Sequence, residues 1–354
     1  MKIVHVSASR GYDVVIGGGL LETLGRTAAQ LCPGRTACLV SDDTVFGLYG
    51  ARARASLEAE GFTVCTWVFP HGEQAKCGES FLQLVNFLAE RRLTRSDLLV
   101  ALGGGVTGDL TGFAAACYLR GVRVLQVPTS LLAMVDSSVG GKTAIDLPAG
   151  KNLCGAFYQP VGVLCDTDLL QTLPEDIFRD GCAEVIKYGV LGSRELFDRL
   201  AAAHVRDQAE AIVADCVAMK RDVVESDEFD TGRRQFLNLG HTLGHAVEAG
   251  SDFRLSHGKS VAIGMAMIAR AAANQGFCSP ETRDELLALL TRYGLPTETD
   301  QTPESILRTA LGDKKRQGGS ITLVVPAEIG RCVLHKIPVE ELPQWIEAGP
   351  PILA

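Results

Sequence analysis

From the N-terminus to about residue 135 the chain alternates short β-rich runs with helical ones, and no other feature limits its fold so strongly. KIVHVSA, YDVVIG, TACLVSDD, FTVCTWVFP, DLLVALGGG and VRVLQVPTS read as strands. LLETLGRTAAQL, FLQLVNFLAERR and GDLTGFAAACYLR read as helices among them. Alternation of this kind implies a Rossmann-like α/β domain: a mainly parallel sheet with helices on its faces and ligands at the carboxyl ends of the strands. After the loop-like stretch GGKTAIDLPAGKNLCGAFYQP the texture changes. From Pro174 to about Gly312 the chain reads as helices separated by short breaks, and a strand pair, SITLVVP and RCVLHKI, follows. The 354 residues can bury two cores. We therefore expect an α/β domain over 1–173 and a mostly α-helical domain over 174–354, with the active site in the cleft between them.

Gly103, Gly105 and Gly108 satisfy GxGxxG where a hydrophobic strand runs into a helix. Backbone amides at that helix start would hold a pyrophosphate against the positive end of the dipole. The acidic ribose reader usual about 20 residues later is missing. Asp42, ending an earlier strand, can take that part if the sheet is wound differently. The segment from Asp136 to Asn152 sets Lys142 and Lys151 among glycines, with Arg120 upstream. Lysine and glycine together suit an anionic sugar phosphate, because the cations neutralise charge and the glycines let backbone N–H groups approach. GKT here is no Walker A motif, since Asp136 stands where the first glycine would be. Lys220, Arg234, Lys314 and Lys315 add cations in the second half.

Arg234 to Gly258 reads RQFLNLGHTLGHAVEAGSDFRLSHG and holds His241, His245 and His257, three of the chain's seven histidines. Spacing His241 and His245 four apart puts both imidazoles on one helical face. A catalytic divalent site needs three protein ligands and an open position, and two imidazoles with one carboxylate are a common set. His257 can bring an imidazole from a neighbouring element and Glu184, in GCAEVIKYG, the carboxylate. The spacing leaves open whether His241 or His245 is the ligand on the helix.

A formal net charge of −8 argues against nucleic acid and anionic membranes as partners. The eleven cysteines are odd in number, include no CxxC and sit mostly in apolar contexts, as small buried hydrophobes of a reducing compartment do. The N-terminus has no long apolar run of a signal peptide or membrane span, so a cytoplasmic protein is expected.

SSVGGKTAIDLPAGKN, GCAEVIK, LNLGHTLGHAVE, SHGKSVAIGM and GDKK, in this order and at these separations, resemble the 3-dehydroquinate synthase family of sugar phosphate cyclases. The resemblance runs from about residue 10 to residue 340. It implies an enzyme that uses NAD⁺ and a divalent metal, zinc or alternatively cobalt, to convert 3-deoxy-D-arabino-heptulosonate 7-phosphate into 3-dehydroquinate and phosphate. It implies Glu184, His241 and His257 as metal ligands. NAD would lie against Asp42, Glu73, Lys76, Gly104, Gly105, Val106, Asp109, Thr129, Ser130 and Thr172, with Lys142 and Lys151 close to both cofactor and substrate. Substrate would meet Asp136, Lys142, Lys151, Asn152, Lys187, Lys220, Arg234, Asn238, His245 and Lys314. Arg120 resembles a residue that reaches the phosphate in the neighbouring subunit, which implies a homodimer.

Three positions depart from the family pattern: Asp230 replaces a usual Glu, Ile177 a frequent acid and Thr44 a frequent Asn. Rival readings are an aminodehydroquinate or 2-deoxy-scyllo-inosose synthase, a metal-dependent polyol dehydrogenase, and a non-catalytic scaffold that keeps the fold. A dehydrogenase would release NADH, which a cyclase would not.

Overall fold

A computed structural model describes residues 1–252, 254–314 and 319–347. The strands are β1 (Lys2–Val6), β2 (Tyr12–Gly17), β3 (Thr36–Asp42), β4 (Thr63–Phe69), β5 (Leu98–Gly103), β6 (Arg123–Pro128), β7 (Lys142–Leu147), β8 (Gly150–Phe157), β9 (Gly162–Asp166), β10 (Ser320–Glu328) and β11 (Arg331–Pro338). The earlier helices are α1 (Leu24–Leu31), α2 (Asp43–Val45), α3 (Ala51–Ala59), α4 (Gly78–Glu90), α5 (Gly105–Cys117), α6 (Glu175–Gly192) and α7 (Arg194–Ala202). They are followed by α8 (Ala209–Ser226), α9 (His241–Gly250), α10 (His257–Asn274), α11 (Pro280–Arg292), α12 (Pro303–Lys314) and α13 (Leu342–Glu347).

Two compact units result, Met1–Pro174 with Ala209–Phe229, and Glu175–Gln208 with Asp230–Ala354. The sequence reading set one cut near residue 173. The units divide next to that point, but α8 belongs to the first unit because it packs on β1, β2 and the turn at Ala133–Ser137. A helical period cannot reveal which core a helix will join.

The first unit is built on a seven-stranded sheet in the order β1-β2-β9-β6-β5-β3-β4. Only the β1/β2 pair is antiparallel; the other pairs are parallel, as the alternation of strands and helices requires. β5, LLVALG, lies near the middle and is buried along its whole length, which is why it reads as an unbroken apolar run. Each of its large side chains contributes about 1.5–3 kcal/mol of burial. Leu84 and Leu88 of α4 and Leu110, Phe113 and Ala114 of α5 pack over Val40, Leu99 and Ala101 of the sheet.

After β3 the chain moves outward to β4, whereas after β5 it moves the other way to β6. The carboxyl ends of β3 and β5 therefore flank a switch point, where the loops diverge and leave a crevice. Asp42 ends β3, and Gly103 ends β5.

The segment read as a loop, 136–152, is corrected by the structure: Lys142 and Lys151 lie on an antiparallel hairpin, β7/β8. Its lysines and glycines hide the strand, yet Thr143, Ala144 and Ile145 are buried beneath α5. Helix and hairpin approach closely, since a Cβ on Gly112 would stand 2.4 Å from Thr143 Cγ2.

Among the described residues the second unit is helical apart from the antiparallel pair β10/β11, the expected closing strands. α9 and α10 pack backbone against backbone. A Cβ on Gly264 would lie 2.0 Å from the carbonyl oxygen of Gly240, itself at φ 76° before α9. At the start of α10, a Cβ on Gly258 would fall 2.4 Å from the Cα of Asp180 in α6. These contacts bring α6, α9 and the first residue of α10 together at one point.

Candidate active site

At that point stand Glu184, His241 and His257, whose ligand atoms all lie within 4.8 Å of one another. Glu184 Oε1 is 3.0 Å from His257 Nε2 and 3.4 Å from His241 Nε2. His241 opens α9, and its Nδ1 stands 3.0 Å from the Leu239 carbonyl, which fixes the proton on Nδ1 and leaves Nε2 for a ligand. Lys187, one turn beyond Glu184 on α6, forms a fully buried ion pair with it. Burial opposes the charge on Glu184, but the Lys187 ammonium and the His241 and His257 rings outweigh it and hold the carboxyl well below the usual range. Burial would likewise depress His257, but Glu184 and Glu248 outweigh it and push its pKa up to about 10. Two imidazoles and an ionised carboxylate on three elements make a donor set that fits a divalent ion with a position left open.

His245, one turn along α9 and exposed, belongs to a second, overlapping group with Glu248 and His257. Crowding by protein atoms and the His241 and His257 rings push its pKa down to about 3. Two groups, sharing His257, thus stand where the spacing left His241 and His245 as alternatives.

In the first unit the crevice between β3 and β5 carries most of the residues expected to meet a nucleotide. Gly104 caps α5, Gly105 and Val106 open it, and Asp109 follows one turn on. The Thr129 amide, just past β6, donates to the Gly103 carbonyl at 3.0 Å, and Ser130 comes next. Asp42 accepts the Val45 amide at 2.9 Å, so its carboxylate also caps the turn after β3. Thr172 shares a hydrogen bond with the Tyr49 hydroxyl.

Beside the α5 start, buried Lys76 Nζ pairs with Glu73 at 3.0 Å, Asp109 at 3.3 Å and Asp146 at 3.8 Å, and donates to Asn152 Oδ1 at 2.8 Å. Burial opposes the charge on Lys76, yet Asp109, Glu73 and Asp146 outweigh it and raise its pKa. Burial pushes the Asp109 carboxyl up to about 6, with Lys76 pulling the other way. Lys151 reaches Glu73 at 3.9 Å. Sequence reasoning missed Asp146, which also accepts the Asn152 amide at 2.8 Å and holds that residue at φ 57°. No local signal marked it, because β7 buries Thr143, Ala144 and Ile145 in succession instead of alternating.

Lys220 of α8 donates to the Asp136 carboxylate and, at 2.5 Å, to its carbonyl. Lys142 and Arg120 are exposed, Arg120 at φ 64°. In the second unit Arg234 is buried in the turn Arg233–Asn238, and Asn238 at its end is exposed. Lys314 ends α12, and Lys315 lies outside the described residues. Of the three departures, Thr44 and Ile177 are exposed and Asp230 sits at φ 59°.

A family model described as 3-dehydroquinate synthase N-terminal matches residues 66–180, and one described as 3-dehydroquinate synthase C-terminal matches 181–316. The chain belongs to the 3-dehydroquinate synthase family.

Two curated 3-dehydroquinate synthases illustrate the likeness. That of Enterococcus faecalis is 42% identical over 348 residues, 97% of each chain. That of Nostoc punctiforme is 46% identical over 350 residues, 96% of each chain. Among solved structures, a 2-epi-5-epi-valiolone synthase from Streptomyces hygroscopicus, with NAD⁺ and Zn²⁺ bound, superposes with a TM-score of 0.87 at 26% identity, covering 98% of this chain and 97% of that one. The fold is thus dehydroquinate synthase-like, a mainly parallel α/β unit plus a helical one.

Proposed function

We propose that the chain converts 3-deoxy-D-arabino-heptulosonate 7-phosphate into 3-dehydroquinate and phosphate, using NAD⁺ and a divalent metal, zinc or cobalt. The observation that carries this reading is the convergence of Glu184, His241 and His257, in a chain whose relatives are 3-dehydroquinate synthases. When bound, NAD⁺ would supply a reversible hydride acceptor for C5, and a metal held by Glu184, His241 and His257 would supply a Lewis acid for the hydroxyl being oxidised.

The chain's own residues orient the substrate and stabilise its charge. Lys142 and Lys151 are the cations for the phosphate, which accepts the C6 proton and leaves from C7 with the C–O electron pair. Lys187 keeps Glu184 ionised, so that the carboxylate serves as a metal ligand at any pH near neutrality. Asn152, Asp136, Lys220, Arg234, Asn238, His245 and Lys314 complete the substrate contacts, and Arg120 serves the partner subunit in a homodimer. Asp42, Glu73, Lys76, Gly104, Gly105, Val106, Asp109, Thr129, Ser130 and Thr172 hold the nucleotide at the switch point. No helix among the described residues is long and apolar enough to cross a membrane, and a cytoplasmic setting fits a chain with eleven free cysteines.

The test is incubation with the heptulosonate phosphate, NAD⁺ and zinc. Phosphate should accumulate over many turnovers with no net rise in reduced-nicotinamide absorbance. Stoichiometric NADH would point instead to a polyol dehydrogenase, and no phosphate release would refute the proposal.

A further inference from the structure

Both histidines of the proposed metal set turn Nε2 toward Glu184, and to offer that nitrogen to a metal each must keep its proton on Nδ1. For His241 the Leu239 carbonyl, 3.0 Å away, does this from the backbone. His257 faces a different partner: its Nδ1 lies 3.8 Å from Oε2 of Glu248, a carboxylate only 5% exposed on α9, an ion-pair separation that a small shift of either side chain would shorten to a hydrogen bond. Burying a carboxylate is costly unless a cation or an N–H stands beside it, and the His257 ring is one such neighbour. We propose that Glu248 is a positioning residue that selects the Nδ1–H tautomer of His257 and aims its Nε2 at the metal. The inference rests on the metal reading of Glu184, His241 and His257, and adds a residue that touches neither metal nor substrate.

A histidine ligand whose other nitrogen is hydrogen-bonded to a carboxylate is both better oriented and more basic. The chain thus holds one ligand by a main-chain oxygen, which no substitution removes, and the other by a side chain. HTLGHAVE puts Glu248 three residues past His245 and seven past His241, on the helical face that carries both rings.

The experiment compares zinc affinity and stoichiometry by chelator competition for the intact protein and for Glu248→Ala, Glu248→Gln, His245→Ala, His257→Ala and the double variant Glu248→Ala/His257→Ala. Thermal unfolding of each without metal reports folding. We expect Glu248→Ala to weaken zinc by about 10–100-fold. Glu248→Gln, isosteric and still able to accept from Nδ1, should recover part of the loss. Once His257 is gone, Glu248→Ala should cost nothing further, because its effect passes through that ring. Undiminished zinc affinity in folded Glu248→Ala overturns the inference, as does an equal additional loss in the His257→Ala background. A second zinc equivalent that disappears in both Glu248→Ala and His245→Ala would make Glu248 a ligand rather than a positioning residue, and also overturns it. Glu184→Gln is the separate control: should it and His257→Ala keep full zinc, the metal reading itself fails, whatever Glu248 does.

Discussion

Metal loading should be linked to a proton. With its pKa pushed up to about 10 by Glu184 and Glu248, His257 is an imidazolium at neutral pH in the metal-free protein. Its folded value stands above the ordinary 6.5, so the ion pairing stabilises the metal-free fold fully below pH 6.5, and that contribution is lost as pH climbs through about 10. A metal accepts only the neutral ring, so between those limits each ion bound must expel that proton. One displaced proton makes apparent affinity rise about tenfold per pH unit, so about 100-fold, or about 2.7 kcal/mol, from pH 7 to pH 9. Cobalt or zinc titrations against a chelator of known pH dependence at pH 7, 8 and 9 measure the slope. Stopped-flow mixing with an indicator dye in weak buffer measures about one proton released per metal. His257→Ala should bind weakly and lose the slope. A flat affinity across this range, with no proton released, would refute the reasoning, since His257 would then be neutral before the metal arrives.

Gly258→Ala should unfold about 1–3 kcal/mol more easily in urea, because the new methyl meets the Asp180 backbone rather than a yielding side chain. It should also weaken zinc by displacing the adjacent His257; unchanged stability would show that α6 and α10 can part at no cost. Arg120→Ala and Lys142→Ala should each be inactive alone. Mixed and allowed to exchange subunits, they should recover activity approaching half per heterodimer, since one site then carries both lesions and the other neither. Demonstrated exchange without recovery would place Arg120 outside the partner's site.

What could be read in the sequence was what depends on local period. The strands and helices before residue 135 declare themselves through alternating and unbroken apolar runs, and the histidines through HxxxH. The β7/β8 hairpin did not, because Lys142, Lys151 and the surrounding glycines have the composition of a phosphate loop, and β7 buries three successive residues without the alternation that marks a strand. Asp146 went unread for the same reason, and Glu248 because a carboxylate at the end of an amphipathic helix looks like a solvated one. The charge network at Lys76 joins residues 73, 76, 109, 146 and 152, and only a tertiary fold assembles partners so far apart.

The return of α8 to the first unit bears on how the molecule is made. A ribosome finishes β9 and begins the helical unit before it supplies the helix that covers β1 and β2 and sets Lys220 on Asp136. The first unit therefore cannot mature as an independent early domain; it must wait for residues 175–208 to emerge. A fragment ending at Pro174 would expose that face, whereas a permuted chain that joins Ala209–Phe229 directly after Pro174 would make the unit contiguous. Order of synthesis and order of folding are uncoupled by one helix.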